Sequence, residues 1–198
     1  MSTTAIFDTT MAIKRRIEAA LNGTVVVGPP TRTVTSGFSA SLFLFLVEPN
    51  RDLRNSDAFT TGDSSPFSGP AEPIKAIPLD LRFLISVFRT TGSGDQADPN
   101  ELLRLGEIIA AIEDQPFLTE TAVPGQTVRL TLEPASMDDL NRIWGVFPED
   151  SYQTSVIYLA TPVYVEAGTR RVGPPVQIHE ERTGLSTEAP RPLAELTP

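Results

Sequence analysis

Cysteine is absent from this chain of 198 residues, and the only histidine is His179. Without cysteine there is no disulfide framework, no thiolate nucleophile and no zinc–sulfur site. The one imidazole lies in a polar, proline-rich C-terminal stretch, which offers no pocket to hold it as the base of a nucleophilic triad. The sequence therefore predicts no catalytic residue, no metal site, no cofactor and no enzymatic activity.

Long apolar runs are also missing, since no stretch approaches the roughly 20 residues that span a bilayer. The N-terminus, MSTTAIFDTTMAIKRR, lacks the charged region, apolar core and small-residue cleavage site of a signal peptide. We therefore expect a soluble protein that is made in the cytoplasm and has no membrane partner. The lack of cysteine fits a reducing compartment.

Positive charge is scarce. Sixteen basic and 25 acidic side chains give a formal net charge of −9. The single basic cluster is Lys14-Arg15-Arg16, whereas a phosphate backbone needs many clustered lysines and arginines. Neither Gly28-Pro29-Pro30 nor Gly92-Ser93-Gly94 has the GxGxxG spacing or the GK[ST] ending of a phosphate loop. These patterns argue against a nucleic-acid partner.

The clearest structural pattern is residues 78–89, PLDLRFLISVFR. Alternate positions are apolar, so an extended chain places them on one face, and the pattern predicts a β-strand. Residues 42–47 and 156–165 are apolar on both faces and predict further strands that are covered on both sides. Pro162 cannot donate to a ladder, so we expect an edge or a bulge there. The apolar alternation of the first strand comprises Leu79, Leu81, Phe83, Ile85 and Val87.

Helical spacing predicts a helix over 4–21, a second over 98–116 and a short third one from Ser136. The stripes expected to be buried are Ile6, Phe7, Thr10, Ile13, Ile17 and Leu21 in the first helix and Leu102, Leu105, Ile108, Ile109 and Ile112 in the second. The predicted fold class is α/β (α+β): a single domain over 1–167 with a mixed sheet and helices packed on it, followed by an extended tail over 168–198.

Residues 48–77 interrupt this pattern with a long segment rich in proline, glycine, serine and aspartate. Connections of this length are uncommon inside a compact domain and are either functional or without fixed structure. Two interpretations remain open, a surface loop of no further role and a loop that becomes ordered against a partner. The candidate interface residues in the segment are Glu48, Asn50, Arg51, Arg54 and Asn55.

Trp144, the only tryptophan, also has two interpretations. It shares a helix face with Leu140 and Ile143, which favours a core position, whereas tryptophan is enriched in interface hot spots. No pair of carboxylates stands out as an acid–base couple.

The ordered combination of these segments resembles the cap, or tube-and-sheath terminator, proteins of extracellular contractile injection systems such as the antifeeding prophage. The matching segments are 48–55, 78–84, 102–106, 129–133, 139–144 and 152–165, and together they span most of the body of the chain. Pro49 departs from the family pattern by interrupting its Glu-Asn pair. The resemblance implies a fold like that of phage tail terminators.

The resemblance also implies a function. Such caps are structural proteins that form a ring, usually six-fold, at the end of the particle remote from the baseplate. The implied partners are further copies of this chain, the terminal ring of the inner tube and the terminal ring of the sheath. The implied location is a particle assembled in the bacterial cytoplasm. The alternatives are a non-catalytic adaptor that binds through residues 48–77 and a hydrolase that uses carboxylates.

The tail acquires a possible role from the same resemblance, because sheath subunits in such systems lend a strand to a neighbour's sheet. An extended segment gains main-chain hydrogen bonds when it adds to an open edge. We therefore expect residues 171–182 to pair with the sheath ring or with an adjacent cap subunit, the alternative being a terminus without fixed structure. The candidate residues are Arg171, Val172, Val176, Ile178 and Arg182.

Overall fold

A computed structural model describes residues 2–30, 37–54, 59–60, 74–88, 99–148 and 152–169. A short 3-10 turn at Ser2–Thr4 leads into the first helix. The elements are α1 (Ala5–Leu21), β1 (Val25–Val27), β2 (Ala40–Pro49), β3 (Phe59–Thr60), β4 (Ile74–Val87), α2 (Pro99–Asp114), β5 (Phe117–Leu118), β6 (Val128–Glu133), α3 (Met137–Trp144) and β7 (Ser155–Thr169). The predicted α/β class with a mixed sheet is confirmed.

The seven strands form one sheet in the order β1-β2-β4-β7-β6-β5, and β3 pairs with β4 off this path. β1 runs parallel to β2, and the other pairings are antiparallel. The strand predicted at 78–89 is therefore central, with β2 on one side and β7 on the other. Phe83 lies opposite Leu44 of β2 and Tyr158 of β7, so three large side chains meet on one face.

That face carries α1 and α2 and holds the main core. The predicted alternation along β4 is confirmed: Leu81, Phe83, Ile85 and Val87 are buried in this core, and Leu79 packs at its margin. The opposite face carries α3 and a smaller apolar cluster built on Leu84, Leu140, Trp144 and Ile157. The two clusters explain why β2 and β7 are apolar on both sides.

Pro162 occupies a bulge. Leu79 and Leu81 of β4 have one residue between them, but their partners on β7, Val163 and Ala160, have two residues between them. The pairing of β7 with β6 also stops at Thr161. The proline has no amide proton, and it lies at a position where the ladder needs no N–H donor, as the sequence predicted.

The helix stripes were predicted only in part. Ile13, Ile17, Ile108 and Ile112 are fully buried, but Phe7 and Leu102 are 65% and 66% exposed. Each of the two exposed residues lies at the outer margin of its stripe, and α1 instead buries small side chains, Ala5, Thr9 and Ala12 among them. Small residues bring the helix close to the sheet, and this close approach narrows the stripe that contacts the core.

The boundaries of the segment 48–77 were wrong at both ends. Its first two residues belong to β2 and its last four to β4, and β3 at Phe59–Thr60 was not foreseen. The extra length of β4 is set by pairing with β7, where Ala76 lies opposite Glu166 and Ile77 opposite Val165. Such long-range pairing leaves no local pattern in the sequence. β5 was also missed, because its two residues are too few to show a period.

Helix α3 begins with a reciprocal capping box. The Ser136 hydroxyl accepts from the Asp139 amide at 3.2 Å, and the Asp139 carboxylate accepts from the Ser136 amide at 3.2 Å. The Ser136 hydroxyl also donates to this carboxylate, and these hydrogen bonds lower the pKa of Asp139. The cap therefore sets the start of the helix that covers the second face of the sheet.

Removing this cap should weaken the domain measurably. We expect Ser136→Ala to lower the free energy of unfolding by about 1 kcal/mol, because the Asp139 amide loses its acceptor and the Asp139 carboxylate loses the hydroxyl donor. Because the folded state lowers the Asp139 pKa, the carboxylate's part of the cap contributes at neutral pH and is lost as the pH falls through that folded-state pKa. In urea unfolding, the difference between variant and wild type should therefore shrink in acid to the part carried by the Asp139 amide. A difference as large in strong acid as at neutral pH would contradict this account.

Candidate functional site

A charged cluster lies on the second face of the sheet, beside α3. The Arg82 guanidinium donates from Nε to Glu133 Oε2 at 2.7 Å, and its Nη1 donates to Glu48 Oε1. These hydrogen bonds, with Glu133 contributing most, raise the pKa of Arg82. The three side chains are about one quarter exposed. One arginine thus joins β2, β4 and β6 across the intervening β7.

Asn50 fastens the start of the following segment to the sheet. Its side-chain amide donates to Asp80 Oδ1 at 2.9 Å and to Thr161 Oγ1 at 3.1 Å. Its side-chain oxygen accepts from the amides of Asp52 and Leu53 at 3.1 and 2.9 Å. Both ends of the Asn50 amide group are therefore occupied within the chain, and this geometry fixes the direction in which the chain leaves β2.

The described residues that border the two segments singled out in the sequence lie at one end of the sheet. The chain leaves β2 after Pro49 and returns at Ile74, and Ile74 lies directly opposite Thr169, where β7 ends. We call this the loop-and-tail end, defined by Pro49, Asn50, Ile74 and Thr169. The pairing of β4 with β7 places Ile74 opposite Thr169, and the pairing of β2 with β4 places Pro49 opposite Leu79, so these positions lie towards the same end of the sheet.

Apolar side chains are exposed near the loop-and-tail end. Leu46 and Val47 of β2 are 39% and 44% exposed, and Ile77 of β4 is 43% exposed. Isolated exposed apolar residues are common on protein surfaces, but these three lie on neighbouring strands, and the guanidinium-bearing Arg51 and Arg54 follow in the adjacent turn. Leu46 and Val47 are successive residues, so they present apolar groups on opposite faces of the sheet. This combination of apolar side chains and arginines is typical of protein–protein contacts.

A groove of about 430 Å³ adjoins the charged cluster between α3 and the sheet. Its lining combines apolar and charged side chains: Phe45, Arg82, Glu133, Pro134, Ala135, Asp139, Arg142, Ile143 and Ile157. The Glu133 carboxylate is held by Arg82, and the Asp139 carboxylate by Ser136. The Glu133 carboxylate thus has a cationic partner and the Asp139 carboxylate has a hydroxyl donor, and the groove has the character of a binding surface.

The predicted interface residues divide into three groups. Glu48 and Asn50 make internal contacts, as described above, whereas Arg51 and Arg54 are exposed. The remaining candidates lie outside the described residues: Asn55, Arg171, Val172, Val176, Ile178 and Arg182. Sequence reasoning missed Arg82, Glu133 and Thr161. The available signal for Arg82 was a charged residue on a strand whose other face is wholly apolar.

Trp144 lies in the smaller apolar cluster and is 6% exposed. Its ring meets Phe147 and Tyr152 edge to face, with centroids 6.1 and 5.7 Å apart. The same cluster includes Leu84 of β4, so α3 is anchored on the central strand. This environment favours the core interpretation of the tryptophan over the interface interpretation.

Within the described residues, none of the helices has the length and apolar content needed to span a lipid bilayer. No group of three or more histidine, cysteine, aspartate or glutamate side chains among these residues is arranged to hold a metal ion.

Similar folds are found among solved structures. One is described as the sheath/tube terminator of the extracellular contractile injection system PVC in its extended state, with a TM-score of 0.60 and 17% identity over 94% of this chain and 67% of that one. Another is the tube-terminating cap of the anti-feeding prophage, with a TM-score of 0.59 and 15% identity over 88% of this chain and 60% of that one. The chain thus spans about two thirds or less of these proteins, and the likeness confirms the fold.

Comparison with curated proteins gives no match. Comparison with family models matches residues 8–178 to the Pvc16 N-terminal domain, which covers nearly all of the structure described above. The resemblance seen in the sequence to terminators of contractile injection systems is confirmed, and the chain belongs to the Pvc16 N-terminal domain family.

Proposed function

We propose that this chain is a structural subunit of the terminator that closes the inner tube and sheath of a contractile injection particle. The observation that carries the proposal is the likeness of 94% of the chain to a sheath/tube terminator, together with membership of the Pvc16 N-terminal domain family. In this role several copies, six in the expected arrangement, form a ring at the end remote from the baseplate. The terminal tube ring and the terminal sheath ring are its partners.

The loop-and-tail end supplies the contacts in this proposal. It presents the exposed Leu46, Val47 and Ile77 beside Arg51 and Arg54. Asn50 and the Arg82 cluster fix the residues at which the segment leaves the sheet. Binding therefore costs less conformational entropy, because these residues are already ordered. Residues 171–182 begin just beyond Thr169 and act as the strand that pairs with the sheath ring or with an adjacent copy.

The proposal assigns no catalysis to the chain. Its strongest charged cluster is an internal network in which one guanidinium satisfies two carboxylates. Such an arrangement stabilises a surface and offers neither a nucleophile nor a free base. The particle is the location of the protein, and assembly takes place in the bacterial cytoplasm.

A second candidate function is an adaptor that binds a short peptide. The groove beside α3 favours it, because an apolar floor with charged side chains at its margin suits an extended segment. In that case, substitutions in the groove would remove binding while those at the loop-and-tail end would not.

The test is complementation of a deletion strain followed by localisation on particles. We expect gold-labelled wild-type protein at one end of each particle, remote from the baseplate, and particles with open ends in the deletion. Leu46→Asp with Val47→Asp should lose end labelling, whereas the control Val146→Asp, at a residue 70% exposed in the turn after α3, should keep it. Label along the whole sheath, or no label on particles, would refute the terminator role.

Truncation after Thr169 tests the proposed tail strand. The shortened chain should unfold at the same temperature as the full chain, because the described core ends at β7. Particles complemented with it should lose the cap or show frayed sheath ends, since the main-chain hydrogen bonds of the added strand are gone. Particles capped as well as the wild type would end the idea.

A further inference from the structure

The outer surface of the helix layer carries two exposed faces that the proposed contacts do not use. On α1, Phe7 is 65% exposed and Arg15 is also exposed. On α2, Leu102 and Leu103 are 66% and 63% exposed. We call these surfaces the α1 face (Phe7, Met11 and Arg15) and the α2 face (Leu102, Leu103, Gly106, Ala110 and Asp114); within each, residues three or four apart share one side of the helix.

The α2 face forms a broad, shallow depression. Its lining is Pro99, Leu102, Leu103, Gly106, Glu107 and Ala110, around a volume of about 570 Å³. A Cβ added at Gly106 would meet no atom within 4 Å, so the floor of the depression is open. Two exposed leucines at one end of a floor of glycine and alanine leave room for a large side chain from another molecule.

The charges of the two helices are opposite. α2 carries four carboxylates and one arginine, whereas α1 carries three basic and two acidic side chains. Asp114 lies in the last turn of α2, where the helix dipole disfavours a negative charge, and no basic residue shares that turn. In the part of the chain that the structure describes, no salt bridge involves Asp114 or Arg15. Arg16 of α1 donates to the carbonyls of Gln115 and Phe117 just beyond this turn, but Asp114 and Arg15 are both exposed and can reach another molecule.

Charge and spacing together select the occupant of the α2 face. A second α2 face would bring carboxylates against carboxylates, which opposes contact. The α1 face instead offers an aromatic ring followed eight residues later by an arginine. On α2, eight residues also separate Gly106 from Asp114, so both pairs span about 12 Å along their helices. Phe7 can then fill the depression while Arg15 meets Asp114.

We propose that the α1 face of one copy of this chain docks on the α2 face of the next, with Phe7 over Gly106 and Arg15 paired with Asp114. Two different faces make the contact head-to-tail, and a head-to-tail contact generates a ring when its rotation closes. This inference rests on the proposed function in one respect: the ring formed by the head-to-tail contact is taken to be the terminator ring.

A charge exchange tests the ion pair. Arg15→Asp and Asp114→Arg should each weaken self-association about tenfold, because each places like charges together, and the double variant should restore it. Asp114→Arg removes an unfavourable charge from the end of α2 but places a second cation near Arg16, so the melting temperature of each variant is measured as the control for unfolding. Sedimentation velocity over a concentration series measures the association. Unchanged association in the single variants, or no recovery in the double variant, would overturn the pairing.

Cysteine cross-linking tests the geometry, since the natural chain contains no cysteine. A mixture of Phe7→Cys and Leu103→Cys chains, treated with a short thiol cross-linker, should yield a mixed dimer. Neither variant alone should do so, nor should Phe7→Cys mixed with the control Val146→Cys. The reaction is run on purified protein and on complemented particles. A Leu103→Cys dimer formed alone means that α2 faces meet each other. Protection of that cysteine without any dimer means another partner. Either result refutes the proposal.

The outcomes separate this inference from the proposed function. Labelled protein at the particle end without a mixed dimer leaves the terminator role intact and removes the α1–α2 contact. A mixed dimer of purified protein that never locates to particles does the reverse.

Discussion

Replacing Trp144 with alanine is expected to lower the free energy of unfolding by about 3–5 kcal/mol, the range for emptying a buried aromatic site. The side chain is 6% exposed and joins α3 to Leu84 on the central strand. Its removal also breaks the edge-to-face contacts with Phe147 and Tyr152. Because Trp144 is the only tryptophan, unfolding in urea should be followed by circular dichroism instead of fluorescence.

The matched control is Val146→Ala, two residues further along the chain. Val146 is 70% exposed, so its truncation should change stability by no more than about 0.5 kcal/mol. If Trp144→Ala kept the wild-type stability but abolished binding to particles, the tryptophan would be an interface residue and the core interpretation would be wrong.

The second large effect is expected at Arg82. Substitution by methionine should cost about 2 kcal/mol, between the small value of an exposed ion pair and the larger value of a buried pair that loses one partner. The estimate is intermediate because Arg82 and its two partners are about one quarter exposed. Methionine keeps much of the apolar stem, so the loss reports on the charge and its hydrogen bonds.

The control for Arg82→Met removes the two carboxylates, Glu48 and Glu133, that lose their cationic partner in that variant. The triple variant Arg82→Met, Glu48→Gln, Glu133→Gln should be more stable than Arg82→Met alone, because no uncompensated carboxylate remains on the sheet. Equal stability of the triple and single variants in urea unfolding would show that the cluster contributes through packing alone.

Local sequence patterns predicted the helices and strands whose apolar residues recur at a regular spacing. The alternation of β4 and the Ser136 cap of α3 are visible in short windows, because each depends on residues within a few positions of one another. The same windows misplaced Phe7 and Leu102, since a stripe shows which side of a helix is apolar and does not show how much of it a neighbour covers.

The candidate site was predictable only in outline. Glu48 and Asn50 stood out because polar groups followed directly after an apolar strand. That Glu48 pairs with Arg82, and Asn50 with Asp80 and Thr161, depends on strand order and register. Those contacts join residues that are 30 or more positions apart, and no nearby spacing encodes them.

By itself, the sequence determined the class of this protein: a charged, cysteine-free α/β domain of the terminator-like kind, with a single histidine. It did so because composition and period are local properties of the chain. Only the tertiary structure decided that the first residue of β4, Ile74, lies opposite the last residue of β7, Thr169. Likewise, only packing decided which apolar residues of α1 and α2 stay exposed, because burial depends on what each helix contacts.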